Sequence, residues 1–212
     1  MKRTYQNAHK WMLAMVLVCT LLTGLIIPAQ AYSAWNYHMK GSWQYEYYYV
    51  DGREDGYGER SDDAVKAWND AVDARTNWTS LKPSLDIRLS ETNNGSARTT
   101  RVVISPLDRG PDGYAGFTYY YDVDGRGTWS VINYGGYPNQ NYQSGSAVIN
   151  RHYTDNYSNV RQQNVIMHEM GHIFGLMHSE NSSALMWESI AGKTTLVKPQ
   201  SDDVAGVRSI YE

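Results

Sequence analysis

Alternating apolar and polar positions predict strands along much of this chain. The alternation is clear at Trp43–Tyr47 and Leu85–Leu89, and shorter runs predict strands at Arg101–Ser105 and Ser146–Asn150. The pattern also predicts a strand at Gly113–Tyr121, which we expect to be the edge strand of the sheet. The pattern therefore indicates a sheet of several strands.

Helical periodicity interrupts these strands. Ser61 is placed to cap a helix that extends to about Arg75, and Asp62 and Asp63 favour its positive end. The apolar stripe of this helix consists of Ala64, Val65, Trp68, Ala71 and Val72. Ser158 is placed to cap a second helix. Strands mixed with only a few helices predict the α+β class.

The first 31 residues have the organisation of a secretory signal peptide. A basic start precedes an apolar run over residues 11–27, and a small-x-small site ends at Ala31. We therefore expect cleavage after Ala31, which leaves a single domain at residues 32–212 in a secreted, extracellular protein. The alternative is an uncleaved membrane anchor, although the apolar run falls short of the ~20 residues that span a bilayer.

The charge and cysteine content of the chain exclude some classes of partner and any internal disulfide bonds. Without the first 31 residues, sixteen Lys and Arg face twenty-two Asp and Glu, and no basic patch indicates a nucleic-acid partner or lasting membrane insertion. The single cysteine, Cys19, lies in the segment that would be removed, so the mature chain is expected to fold without disulfides. About 180 residues suffice for one hydrophobic core, and we expect a monomer.

Residues 168–178 concentrate three of the six histidines beside a glutamate, in the order His-Glu-Met-Gly-His-Ile-Phe-Gly-Leu-Met-His. On a helix, His168 and His172 share one face and can bind one metal ion. Gly175 can take a positive φ, end the helix and return His178 towards that metal. Three neutral imidazoles leave the fourth tetrahedral position to water, as in catalytic zinc sites.

This pattern predicts a hydrolytic mechanism that uses one catalytic Zn²⁺. Zinc lowers the pKa of its bound water from ~15.7 towards ~7. Glu169 can take the proton of that water as it attacks a carbonyl carbon, and can then pass the proton to the leaving amine. Downstream, Ala184-Leu185-Met186 is predicted to form a tight turn beneath the histidines, with the Met186 thioether as an apolar floor.

The chain here resembles the matrixins, the matrix-metalloproteinase-like branch of the metzincin zinc peptidases. The serine and four residues between His178 and Ala184-Leu185-Met186 have the family's spacing, and Ser201–Tyr211, with its paired aspartates, is similar to the family's C-terminal helix. The resemblance implies a metzincin-like α+β fold with a twisted mixed β-sheet, an active-site helix, a Met-turn and a C-terminal helix. It also implies secreted zinc endopeptidase activity, with these site residues: ligands His168, His172 and His178, general base Glu169, and Met-turn residue Met186.

Three departures from the matrixin pattern are evident. Cys19 cannot serve as a propeptide cysteine switch, so latency would need another device, such as a short leader or an inhibitor protein. Only His38 and His152 remain as histidines for the family's second, structural zinc. Trp187-Glu188 replaces the usual Tyr-Pro after the Met-turn, which would change the wall of the specificity pocket.

The carboxylate clusters and the many tyrosines each have two possible interpretations. Clustered carboxylates at Asp108–Asp112 and Asp122–Asp124 could bind Ca²⁺ or could be ordinary solvated turn residues. The eighteen tyrosines could form a carbohydrate-binding or wall-binding face, or could fill half-buried strand positions.

We therefore predict a secreted zinc metalloendopeptidase that acts on extended polypeptide segments. One alternative is a different metzincin branch with the same chemistry. Others are a catalytically inactive, zinc-holding surface-binding protein and a cell-wall amidase.

Overall fold

The structure is a computed structural model, and a six-stranded mixed β-sheet organises the residues that it describes. Those residues are 32–40, 47–50, 56–72, 82–83, 100–123, 129–134, 136–189 and 196–211. They belong to one compact unit, Ala31–Glu212. The predicted signal peptide, the predicted strand Leu85–Leu89 and all but the last residue of Trp43–Tyr47 lie outside the described residues.

Eight strands and four helices occur within the described ranges. The strands are β1 (Tyr47–Val50), β2 (Lys82–Pro83), β3 (Thr100–Leu107), β4 (Gly116–Val123), β5 (Trp129–Val131), β6 (Asn133–Tyr134), β7 (Tyr137–Pro138) and β8 (Ser144–Asn150). The helices are α1 (Tyr57–Val72), α2 (Arg151–Thr154), α3 (Asn159–Ile173) and α4 (Ser201–Tyr211). Among these residues, no helix is long and apolar enough to cross a membrane.

The main sheet has the strand order β2-β1-β3-β8-β4-β5. The first four of these strands pair in parallel, whereas β4 runs antiparallel to both β8 and β5. The register places Ala147 between Ile104 and Thr118, so these three side chains point to the same face of the sheet. That face is buried and includes Val102, Ile104, Thr118, Tyr120, Ala147 and Ile149.

Helix α3 is enclosed between the sheet and α1. On the sheet side, Gly145 lies so close to the end of α3 that a Cβ there would be 2.7 Å from a side-chain carbon. On the other side, Trp68 of α1 donates its indole N–H to the carbonyl of Met167, at 3.0 Å. Burial from both sides leaves His168 and Glu169 only 3% and 6% exposed, although both are polar.

Helix α1 begins five residues earlier than the sequence predicts, at Tyr57 instead of Asp62. Ser61 is not its cap but lies within the first turns, where its hydroxyl donates to the carbonyl of Tyr57 at 2.7 Å. The Tyr57 hydroxyl in turn hydrogen-bonds Thr154 and Asp155, both at 2.8 Å. These distant contacts hold the start of the helix, and its local sequence does not indicate them.

Strand β4 begins three residues later than predicted, because Asn150 organises the loop that precedes it. The buried Asn150 side chain donates to the carbonyls of Gly110 and Tyr114, at 3.0 and 3.1 Å, and to Asp112 at 2.9 Å. The loop therefore keeps its own conformation until Gly116.

Further predicted elements that lie within the described residues are confirmed. β3 contains Arg101–Ser105, β8 contains Ser146–Asn150, and Ser158 caps α3 by accepting the backbone N–H of Arg161. The C-terminal helix spans Ser201–Tyr211. The α+β prediction is correct.

Candidate metal centre

Three imidazoles converge at the end of α3. His168 and His172 lie one turn apart on the helix, and His178 returns to them from the following loop. The ring centroids are 4.8 Å apart for His168 and His172, 5.2 Å for His168 and His178, and 4.9 Å for His172 and His178. One nitrogen from each ring lies within 4.8 Å of the other two. Among the described residues, these histidines are the group close enough to share a metal ion.

Gly175 forms the turn after α3 that brings His178 back towards the other two histidines. Its φ is +96°, a conformation that glycine adopts without steric cost. The turn satisfies the helix end, because the N–H groups of Gly175 and Leu176 donate to carbonyls of the preceding turn, both at 3.0 Å. After the turn, the N–H of Ser179 donates to the carbonyl of Met186 at 2.8 Å. His178 is therefore fixed on both sides along the chain.

The segment near the start of the compact unit supports the same loop. The N–H of Trp35 donates to the carbonyl of Gly175, and the N–H of Met177 donates to the carbonyl of Ser33, both at 2.8 Å. The Trp35 ring also lies 6.4 Å from that of His172, between centroids. This loop thus has backbone partners outside its own sequence neighbourhood.

Backbone carbonyls determine which ring nitrogen of two histidines carries the proton. The Nδ1 atom of His168 is 2.9 Å from the carbonyl oxygen of Leu185, and that of His172 is 2.8 Å from the carbonyl oxygen of Leu176. A carbonyl can only accept, so each Nδ1 carries the proton and each Nε2 keeps a lone pair. A metal-ligating histidine needs this arrangement. The donor set therefore fits a divalent metal that prefers nitrogen ligands.

The protein environment also favours neutral imidazoles. Removal from water lowers the pKa of His172 well below its ordinary value, and the neighbouring rings of His168 and His178 lower it further, against the opposing effect of the Leu176 carbonyl. Partial burial also lowers the pKa of His178, whereas the charge of Glu188 opposes this. Neutral imidazole is the form that binds metal, so the site is ready for a ligand at neutral pH.

The Met-turn, which we define as Ala184-Leu185-Met186, is buried beneath the histidines. The Met186 sulfur packs against Gly171 so closely that a Cβ at this glycine would overlap it. Asp203 of α4 holds the turn, because its Oδ2 accepts the N–H of Leu185 and its Oδ1 that of Met186, both at 2.9 Å. Burial raises the pKa of Asp203, and these N–H groups oppose that rise.

Glu169 faces β4 from the same turn of α3 as His168. The hydroxyl of Thr118 donates to its Oε2 at 2.8 Å. Burial raises the pKa of Glu169 from 4.5 to about 7, although the Thr118 hydrogen bond opposes the rise. A carboxylate with this pKa holds and releases a proton near neutral pH.

Among the described residues, one edge of β4 has no partner strand beside this carboxylate, and we call it the open edge. The carbonyls of Ala115 and Tyr121 accept N–H groups from Asn150 and Gln143, both at 2.9 Å. Odd-numbered residues of β4 therefore bond towards β8, and even-numbered residues direct their backbone groups to the opposite side. On that side, β5 pairs only with Tyr121–Val123, so within the described residues Gly116–Tyr119 has no partner strand.

A mixed sheet, a helix with two histidines four residues apart, and a third histidine after a glycine turn above a buried methionine together define the metzincin class. The chain belongs to the matrixin family within that class. A family profile described as Matrixin matches residues 62–212, which include every residue of the metal centre.

Named relatives align with the chain over shorter segments. Metalloendoproteinase 1 of Glycine max is 41% identical over 49 residues, which are 23% of this chain and 16% of that protein. Metalloendoproteinase 1-MMP of Arabidopsis thaliana is 45% identical over 49 residues, 23% of this chain and 14% of that protein. Matrix metalloproteinase-19 of Mus musculus is 40% identical over 55 residues, 26% and 10% of the two chains. The chain thus aligns with less than a fifth of each relative's length.

The structure brings the predicted site residues together and adds others that the sequence did not indicate. His168, His172 and His178 lie around one point, Glu169 follows His168 on α3, and the Met186 sulfur packs against Gly171 of the same helix. The sequence does not predict a contribution from Thr118 or Asp203. The paired aspartates of α4 are part of the family resemblance, but nothing in the sequence indicates which of the two is buried.

The predicted calcium sites remain predictions. Asp112 forms an ion pair with Arg109 at 2.8 Å, and its hydrogen bonds, above all from the N–H of Tyr114, lower its pKa. Asp122 pairs with Lys40 at 2.7 Å and accepts the side-chain amide of Gln140 at 2.9 Å. These carboxylates have protein partners, and Asp124 lies outside the described residues.

Proposed function

We propose that the chain is a zinc-dependent metalloendopeptidase, with one catalytic Zn²⁺ held by His168, His172 and His178. The observation that carries the proposal is the convergence of three imidazoles, two of which donate Nδ1–H to backbone carbonyls, beside a buried carboxylate. Three nitrogen ligands with an adjacent acidic base are typical of catalytic rather than structural zinc sites.

Each residue has a defined task in this mechanism. When bound, zinc supplies a Lewis acid that lowers the pKa of water and polarises the scissile carbonyl. Glu169 accepts the proton of the attacking water and returns it to the nitrogen of the departing amine, so that one carboxylate serves both steps. In the metal-free chain, burial raises the pKa of this carboxyl to about 7, so burial favours its protonated form more than exposure to water would. Met186 keeps the floor of the site apolar.

An extended polypeptide is the substrate that the open edge of β4 supports. The backbone groups of Gly116 and Thr118 face that edge, so a peptide can add as a further strand through main-chain hydrogen bonds. Such binding would bring a peptide bond next to Glu169 through main-chain contacts, which any extended polypeptide can offer.

The cellular context follows from the leader. We propose that residues 1–31 are a cleaved signal peptide, that residues 32–212 form the single peptidase domain, and that the mature protein is a secreted extracellular monomer without nucleic-acid partners. An inhibitor protein, or a short segment between Ala31 and the first strand, would restrain its activity. N-terminal sequencing of the exported product tests the cleavage site directly.

Hydrolysis of casein, or of an internally quenched peptide, tests the activity itself. We expect a chelator to abolish hydrolysis and added zinc to restore it. Glu169→Gln should bind zinc as the unchanged protein does but lose nearly all hydrolysis. Glu59→Gln, an exposed change in α1, is the matched control and should keep full activity.

Three results would contradict the proposal. Full activity of Glu169→Gln would remove the mechanism. A protein that binds zinc tightly but cleaves no peptide would favour the inactive zinc-holding alternative, and cleavage of purified cell wall alone would favour the amidase.

A further inference from the structure

Thr118 is the polar side chain of β4 that touches the carboxylate of Glu169. It is 4% exposed, and its Oγ1 lies 2.8 Å from Oε2 and 3.1 Å from the backbone oxygen of the same glutamate. A threonine hydroxyl has one proton to donate. The carboxylate bond is the shorter of the two and is assisted by charge, so it is the stronger one.

Gly116 supplies the space that this contact requires. A Cβ at Gly116 would lie 2.6 Å from Oε1 of Glu169 and 2.7 Å from its Cγ, closer than atoms can pack. Positions 116 and 118 lie two residues apart on the same face of the strand. β4 thus holds one oxygen of the carboxylate with a hydroxyl and leaves room for the other.

We infer that Thr118 is a positioning residue for the reaction, and that it holds the Glu169 carboxylate in the orientation in which it accepts the proton of the attacking water. The inference rests on the proposed function and adds to it a residue outside the zinc-binding sequence. Thr118 acts through Glu169 and need not touch the substrate.

Thr118 therefore lies between the edge where the substrate would bind and the carboxylate of Glu169. The backbone of Thr118 faces the open edge, where the substrate would bind, while its side chain faces the general base on the buried face of the sheet. A glutamate side chain has three rotatable bonds, whereas the branched threonine is restricted at χ1 and stands on a paired strand. Holding the base in one rotamer removes orientational freedom that the reaction would otherwise have to overcome.

Two substitutions at Thr118 test this role. Thr118→Val keeps the shape but removes the hydroxyl, and we expect kcat to fall about tenfold to a hundredfold, in line with a lost hydrogen bond to a charged group, with KM little changed. Thr118→Ser restores the hydroxyl and should recover kcat to within about threefold. Zinc content should remain one per chain in both variants.

Thr154→Val is the matched control. Thr154 is also buried, and its hydroxyl donates to the carbonyl of Asn150 at 3.0 Å, but it lies in α2, outside the metal centre. Its loss should lower stability without lowering kcat. Equal losses of kcat in Thr118→Val and Thr154→Val would mean that Thr118 is merely structural, and an unchanged kcat in Thr118→Val would overturn the inference.

A structural readout separates this inference from the proposed function. In crystals of the metal-free protein, we expect one Glu169 rotamer in the unchanged chain and in Thr118→Ser, and several or a displaced one in Thr118→Val. If the unchanged protein cleaves nothing, the proposed function fails, but the rotamer still reports whether the hydroxyl holds the carboxylate. An undisturbed Glu169 in Thr118→Val would refute the positioning role whatever the activity.

Discussion

Replacing Glu169 by Gln should stabilise the metal-free protein at alkaline pH, although it removes the proposed general base. In the folded chain, burial raises the pKa of Glu169 from 4.5 to about 7. Each pKa unit corresponds to about 1.4 kcal/mol, so ionising this carboxyl costs the folded state about 3 kcal/mol more than the unfolded state. Glutamine has nearly the same shape, can still accept the Thr118 hydroxyl, and does not ionise.

The sign of the effect follows from proton binding. Between pH 4.5 and about 7 the folded state keeps the Glu169 proton and the unfolded chain releases it, so the stability of the unchanged protein falls as the pH rises through this window. The histidines are common to both chains, so their contributions largely cancel in the difference. The free energy of unfolding of Glu169→Gln, relative to the unchanged protein, should therefore rise by about 3 kcal/mol from pH 4.5 to pH 8.

Urea unfolding at a series of pH values, in the presence of a chelator, measures this difference. The chelator is needed because a divalent cation beside the carboxylate would lower its pKa. Glu59→Gln changes an exposed residue and should give a flat difference. A flat profile for Glu169→Gln as well would show that the buried carboxylate ionises without cost, and the argument from burial would then be wrong.

Other substitutions test the framework of the site. Asp203→Asn should lower the free energy of unfolding by about 2 kcal/mol, because a buried acceptor of Met-turn N–H groups is lost. The control Asp70→Asn changes an exposed residue and should lower it by at most about 0.5 kcal/mol. Equal effects of the two substitutions would contradict the role of Asp203 in holding the Met-turn. Gly175 has a φ of +96°, so Gly175→Ala should lower the free energy of unfolding by about 1–2 kcal/mol and weaken zinc binding in a chelator-competition titration. Gly110 has a φ of +71° in an open loop, so Gly110→Ala should lower the free energy of unfolding by a similar amount but leave zinc affinity unchanged. Gly171→Ala should lower the thermal midpoint, because its methyl would overlap the Met-turn sulfur at a cost of about 1–3 kcal/mol, and an unchanged midpoint would show that the sulfur can move aside.

The part of the metal centre that follows from local geometry could be predicted. Two histidines four residues apart share a helix face whatever surrounds them, and Gly175 at the helix end permits the bend that returns His178. The cap at Ser158 is equally local. These predictions needed no knowledge of how the strands are ordered.

Contacts that cross the chain could not be predicted in the same way. Thr118 is 51 residues from Glu169 in sequence, and the alternation in β4 does not reveal that its even-numbered face meets α3. Asp203 lies 18 residues after the Leu185 whose N–H it accepts. The early start of α1 also depends on distant partners of Tyr57. In each case the sheet order and helix packing, which no short segment encodes, bring the groups together.

The anchoring of His168 has a consequence for biosynthesis. Its Nδ1 proton is held by the carbonyl of Leu185, and Asp203 of α4 fixes the turn that contains this carbonyl. We therefore expect a nascent chain to form α3 early and to gain this anchor of the first imidazole only when α4 docks. Completion of the centre should then coincide with folding of the whole domain.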